Sequence, residues 1–207
     1  MRHLFTLPAL CGACALAAPP APEPAAPPSS APLAAPAYAG DRLVRPEDYR
    51  QWIYLTTGFD MSYNPTLRMG HHMFDNVFVD PAAWRAFRQT GTWPDRTLLV
   101  LEARGARDKG SINRQGQYQD GEVMALEVHV RDTARYPDGG WAFFVFDGSG
   151  REAARIPQQA DCYACHQAHG AEDTTFVQFY PTLLPLATAK GTLAAAYRAE
   201  AAAGSSP

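Results

Sequence analysis

The chain has 207 residues, of which 46% are hydrophobic and 19% charged, enough apolar content to bury one real core. Its net charge of −3 offers no basic footprint, which excludes nucleic acid as a partner. No internal repeat divides it.

Met1-Arg2-His3 precedes a mostly apolar stretch over residues 4–18 that ends in small residues, the layout of a secretory signal over 1–17. Pro8 and the short length argue against a membrane span. Gly12-Ala13-Cys14 is similar to the end of a bacterial lipobox, with Cys11 where the usual Leu stands. Lipidation of Cys14 and simple cleavage near Ala17 or Gly40 both stay open. The expected location is the periplasm, with a membrane tether if Cys14 is lipidated. Residues 18–40 are Pro, Ala and Ser with almost no charge, an extended linker rather than core. The domain is expected over 41–189. The Ala-rich tail over 190–207 reads as weakly helical or disordered, and no role is assigned to it.

Within the domain, Tyr49, Trp52, Ile53 and Thr56 recur at helical spacing behind Pro46 and before Gly58, which predicts an amphipathic helix over 46–57. Asp80-Pro81 predicts a capped second helix with Ala83, Trp84 and Phe87 as its apolar stripe and Gly91 past its end. Strand-like runs cover 76–79, 97–103, 122–130 and 141–146. In the third, Met124, Leu126, Val128 and Val130 alternate with Ala125, Glu127 and His129, the period of a half-buried antiparallel strand. Tyr136-Pro137-Asp138-Gly139-Gly140 predicts the turn into the aromatic strand. The fold class is therefore α+β, an antiparallel β-sheet with flanking helices and a helix behind it for the next motif.

That motif is Cys162-Tyr163-Ala164-Cys165-His166, the attachment signature of a covalent c-type haem. Two thiols three residues apart share one face of a helical turn, where each can form a thioether to a haem vinyl group. His166 then falls beneath the iron as its axial ligand. A zinc site needs two more ligands at recognisable spacing, which are missing. A thioredoxin-like pair needs a βαβ setting, and a disulfide across two residues is strained. Cys11 and Cys14 lie in the signal, so both remaining thiols are used by haem c and none is left for a disulfide.

Taken together, these residues resemble the cytochrome P-460 and cytochrome c′-beta family. The resemblance is carried by Tyr49-Arg50-Gln51-Trp52, Val77-Phe78-Val79-Asp80-Pro81, Thr90-Gly91-Thr92-Trp93-Pro94-Asp95, Leu126-Glu127-Val128-His129-Val130-Arg131-Asp132, Trp141-Ala142-Phe143-Phe144-Val145-Phe146, the haem motif and Phe179-Tyr180-Pro181. It implies a homodimer and a haem whose open side meets small nitrogen compounds. In the hydroxylamine-oxidising members, a strand lysine bonds covalently to the porphyrin edge. The matching position here is Leu101, and the only lysines are Lys109, in a Gly-rich polar loop, and Lys190. The resemblance is thus to the branch without the cross-link.

With Leu101 facing the iron, alternation puts Leu99 and Ala103 on the same face. Phe78, Phe74 and the strand over 141–146 are candidates for the rest of the pocket wall. An apolar pocket favours neutral diatomics such as NO. Glu102 and Glu127 are acids within hydrophobic strands, where a buried carboxylate needs a partner or a shifted pKa; either is a candidate proton relay, and no catalytic residue is assigned. His71 and His72, with His129 or His169, lack metal-ligand spacing and read as surface histidines. Met69, Met73 and Met124 are candidate sixth ligands of an electron-transfer haem. Three functions follow: an NO-binding cytochrome, a hydroxylamine-oxidising or peroxidatic enzyme, and an electron carrier. The redox partner is not legible.

Overall fold

The computed structural model describes residues 35–61 and 71–204. The signal, Cys11, Cys14, most of the linker and Met69 lie outside the described residues. The architecture is the expected α+β. A five-stranded meander is built from β3 (Ile53–Phe59), β4 (Met73–Val79), β5 (Leu98–Gly110), β6 (Gly116–Arg131) and β7 (Trp141–Asp147), each antiparallel to its neighbour. A small three-stranded sheet joins β1 (Tyr38–Ala39), β2 (Arg42–Val44) and β8 (Glu152–Ala153). It reaches back to Tyr38, before the expected domain start at Asp41.

The large sheet buries both faces, in two separate cores. On one face Leu98, Val100, Leu126, Val128, Phe144 and Phe146 pack under the small sheet, whose Leu43 and Ala153 close that core. On the other, Leu55, Val79, Leu99 and Trp141 meet the helices through Ala83, Phe87, Val177 and Leu183. β6 keeps the expected alternation at Leu126, Glu127 and Val128, buried, exposed and buried in turn, but His129 is buried on the opposite side from Leu126, Val128 and Val130.

Helix α1 (Pro81–Thr90) forms as its sequence predicts. The Asp80 carboxylate accepts from the amides of Ala82 (2.8 Å) and Ala83 (3.0 Å), and Gly91 ends the helix at φ 81°. Residues 46–57, however, do not form a helix. A single 3-10 turn at Tyr49–Gln51 precedes β3. The β-branched and aromatic run after Trp52 has a partner strand in β4, with Ile53 opposite Val79 and Thr57 opposite Asn76, and that pairing outweighs the local helical period. β5 and β6 continue past the core as a long hairpin whose register shifts after Ala103, Arg104 and Arg107. Lys109 is an exposed residue near its tip, within β5 rather than in a loop.

Helix α2 (Asp161–His169) carries the Cys-x-x-Cys-His motif, followed by α3 (Leu184–Lys190) and α4 (Ala195–Ala202). The C-terminal segment is docked: the Ala194 amide donates to the Ala171 carbonyl (2.7 Å), and Leu193 and Tyr197 pack into the helix-side core.

Candidate functional site

Laterally paired residues of an antiparallel sheet point to one face, so the register fixes what the sheet offers on its helix side. One row runs Val79, Leu99, His129, Phe143. The next runs Thr56, Val77, Leu101, Glu127, Val145, and the one beyond it Gly58, Asp75, Ala103, Ala125. Between this face and the segment after α2 lies a cavity of about 590 Å³, within the range of cofactor sites. Leu99, Leu101, Val77, Glu127, Asp75 and Phe143 line it from the sheet, and His166, Phe176, Phe179 and Tyr180 from across it.

His166 is held from two sides. Its Nδ1 lies 2.7 Å from the carbonyl oxygen of Thr174, which fixes Nδ1 as the donor and leaves Nε2 for a metal. Its ring meets Phe176 at 4.3 Å, Phe143 at 4.5 Å and His129 edge-on at 5.1 Å between centroids. Burial lowers its pKa, against the Thr174 bond, and so favours the neutral, ligating imidazole. His129 is stacked between Phe143 (4.0 Å) and Trp141 (4.2 Å). Burial, with His166 beside it, drives its pKa far below the usual range.

Both cysteines of α2 are free thiols, Cys162 exposed and Cys165 half-buried. Burial and then Cys162 raise the pKa of Cys165, the opposite of a thioredoxin-type reactive thiolate. Two accessible thiols one helical turn apart, next to a ring nitrogen reserved for a metal and a cavity behind it, fit a covalently held haem. Among the described residues no group of three or more His, Cys, Asp or Glu side chains forms a bare metal site.

Leu101, Leu99 and Ala103 share the cavity-side face. Phe78 does not line the cavity, a correction to the sequence reading: it belongs to the opposite face, where it meets Tyr49 at 5.7 Å and Tyr54 at 6.0 Å. Alternation gives the cavity position on β4 to Val77 instead. Phe74 likewise lies off the cavity lining, against Phe59.

The two candidate acids separate cleanly. Glu102 lies on the far face, 3% exposed, bonded by Tyr49, Arg104 and Arg50 (2.8 Å). Burial opposes its ionisation, but these donors outweigh burial and hold its pKa below the usual range. Glu127 lines the cavity as an exposed residue with protein atoms crowded around its carboxyl group. Burial, and then the nearby Asp75 carboxylate, raise its pKa. The pKa of Asp75 is itself raised by burial and by Asp60, and among the described residues neither acid has a basic partner to offset this.

His71 and His72 are exposed, and His72 pairs with Asp60. His169 faces Glu200 of α4 at 3.8 Å. Neither Met73 nor Met124 lines the cavity, but Met61 does. Met61, Asp75 and Glu200 were not singled out from sequence. Asp75 carried a usable signal, an acid two residues before Val77 in a strand; Glu200 carried none, because only the docking of α4 brings it to the cavity.

A family model described as Cytochrome P460 matches residues 46–177. The match spans the meander, α1 and α2 with Cys162, Cys165 and His166, and stops before α3. No curated protein matches the chain.

Proposed function

Because the chain belongs to the cytochrome P460 family, and is thereby a haem cytochrome, we propose that it is an exported c-type cytochrome that takes small nitrogen ligands such as NO at an open iron position. Cys162 and Cys165 carry the haem through thioether bonds, and His166 is its protein ligand. A bound haem would supply an iron able to take a diatomic ligand. Leu99, Leu101 and Val77 form a wall that excludes water and holds an uncharged ligand without hydrogen-bonding it. The signal-like N-terminus supports a periplasmic location, with Cys14 the candidate lipid anchor, and the family resemblance supports a homodimer.

The observation that carries this reading is Leu101 on the cavity wall, at the position where the resemblance expects the cross-linking lysine of hydroxylamine-oxidising members. An alkyl side chain cannot form that bond, and Lys109 is exposed near the hairpin tip. A second reading, oxidation of hydroxylamine, is favoured by Glu127 directly opposite Leu101. A carboxyl group at the cavity whose pKa is raised by burial and by Asp75 is suited to holding and passing a proton.

Absorption spectra of the oxidised and reduced protein, with and without NO, test the proposal. The expected result is a high-spin reduced spectrum converted by NO, and a tryptic haem peptide containing residues 162–166 alone. A low-spin reduced spectrum that NO leaves unchanged overturns it. If Met61→Leu then made that spectrum high-spin, the electron-carrier reading would replace it. Sustained hydroxylamine turnover would instead establish the second reading.

A further inference from the structure

We propose that Asp173 is a positioning residue for His166, setting how strongly that imidazole donates electrons to the bound iron. The inference rests on His166 being the iron ligand, as proposed above. Its starting point is the short turn that supplies the Nδ1 acceptor. Glu172 and Thr175 bond each other's backbone, at 2.9 Å from the Thr175 amide and 3.3 Å from the Glu172 amide, and the Thr175 hydroxyl donates again to the Glu172 carbonyl at 2.8 Å. Asp173 sits at the turn's apex with φ 51°, a left-handed conformation that costs energy for a residue other than glycine. Thr174 follows it and presents the carbonyl to His166 at 2.7 Å.

A turn held in such a conformation needs anchors outside itself. The Asp173 carboxylate supplies them: it accepts from Trp141 Nε1 at 2.7 Å and pairs with the Arg131 guanidinium, both on the sheet. Trp93 Nε1 ties down the far end through the Thr175 hydroxyl at 2.9 Å. The same Trp141 stacks on His129, which meets His166 edge-on. The carbonyl that accepts from His166 and the aromatic wall around His166 are thus fixed to one another through a single carboxylate.

The chemistry follows from the donor. A short, well-aligned Nδ1–H···O bond makes the imidazole a stronger donor through Nε2, which stabilises the oxidised iron and lowers its reduction potential. Releasing the apex lets the Thr174 carbonyl move away and weakens that bond. Asp173 does this without touching His166, so its effect differs from that of a residue that merely supports the fold.

The test compares the holoprotein with Asp173→Ala, Asp173→Asn and Trp141→Phe variants, reading the iron–histidine stretching frequency of the reduced form, the reduction potential and the melting temperature. Asp173→Ala is expected to lower the frequency and raise the potential. Asp173→Asn, which keeps an acceptor for Trp141 but loses the Arg131 ion pair, is expected to fall between it and wild type. Should the alanine variant not fold, Trp141→Phe removes the N–H donor while leaving the ring and is expected to shift both quantities in the same direction. Variants that melt lower but keep the wild-type frequency and potential overturn the proposal. A wild-type protein that shows no iron–histidine band because its iron carries a sixth protein ligand overturns the open-site reading instead, while the potentials of the same variants still decide the role of Asp173.

Discussion

Leu101 stands directly opposite Glu127 across β5 and β6, so one register row brings an aliphatic side chain and a carboxyl group to the same cavity. The pair divides two chemistries between two residues. Leu101 removes the amine that would cross-link a porphyrin, and Glu127 retains a group able to move a proton. Replacing Glu127 with Gln therefore separates them. NO uptake is expected to persist, whereas any hydroxylamine turnover falls by roughly 10²-fold or more. Stability moves too. Burial and Asp75 raise the Glu127 pKa above its ordinary 4.5, so the folded state binds the proton more tightly than the unfolded chain and loses stability as pH rises from about 4.5 through the folded value. The Gln variant escapes this loss, and denaturant titrations should find it gaining on wild type between acid and neutral pH.

Glu102 behaves in the opposite sense. Its carboxylate is buried against Tyr49 and Arg104, with the more exposed Arg50 at its edge, so removing its charge leaves the Tyr49 and Arg104 donors without their partner, at a cost of about 3 kcal/mol. The folded pKa is depressed, so the contribution is present above the ordinary 4.5 and disappears as pH falls through the folded value. Glu102→Gln should be destabilised at pH 7 and approach wild type in acid. Its haem spectrum and NO uptake should not change, since Glu102 faces the other core. A spectral change would return Glu102 to the site.

These two acids show where sequence reasoning stops. Each sits in an apolar strand, and the alternation around each was legible; which face holds the cavity was not, because phase within a strand says only that neighbours oppose one another. The same ambiguity put Phe78 at the site when Val77 is there. Local signals with local causes were read well: Asp80 capping α1, Gly91 ending it, the glycines at 139 and 140 with φ of 102° and 79°. The segment 46–57 failed for the reverse reason. Tyr49, Trp52, Ile53 and Thr56 do repeat at helical spacing, but β3 is specified by pairing with β4, about twenty residues further on, and no periodicity within the segment reports that. The haem motif needed no fold at all, since its chemistry lies within five residues, whereas the Thr174 acceptor for His166 depended on a turn whose anchors are on β6 and β7.

Glu172, one residue before the apex Asp173, is 4% exposed, and its Oε2 has no hydrogen-bond partner among the described residues. Burial and the adjacent Asp173 carboxylate push its pKa up to about 8, against the opposing charge of Arg131. The unfolded chain ionises this group near 4.5, so wild type loses stability over the interval between the two values, by up to about 1.4 kcal/mol per pH unit. Glu172→Gln should remove that slope. Denaturation measured from pH 5 to 8 is expected to show the variant progressively more stable than wild type, with the two converging at the acid end. Parallel curves across the whole range would mean that the carboxyl group finds a compensating partner in solution.

The C-terminal helix lies beyond the residues that match the family, yet it completes one side of the cavity. Leu193 and Tyr197 enter the helix-side core, the Ala194 amide bonds to the Ala171 carbonyl just after α2, and Glu200 reaches the cavity beside His169. A chain ending at Gly191 loses the burial of two large side chains, and its stability should fall on the order of 3 kcal/mol. Haem attachment should survive, because Cys162, Cys165 and the Thr174 acceptor belong to α2 and the turn that follows it. The measurement is denaturant unfolding alongside intact mass: a truncated protein as stable as the full chain would show that α4 rests on the domain without supporting it, and loss of the haem mass would show that it is needed to form the attachment site.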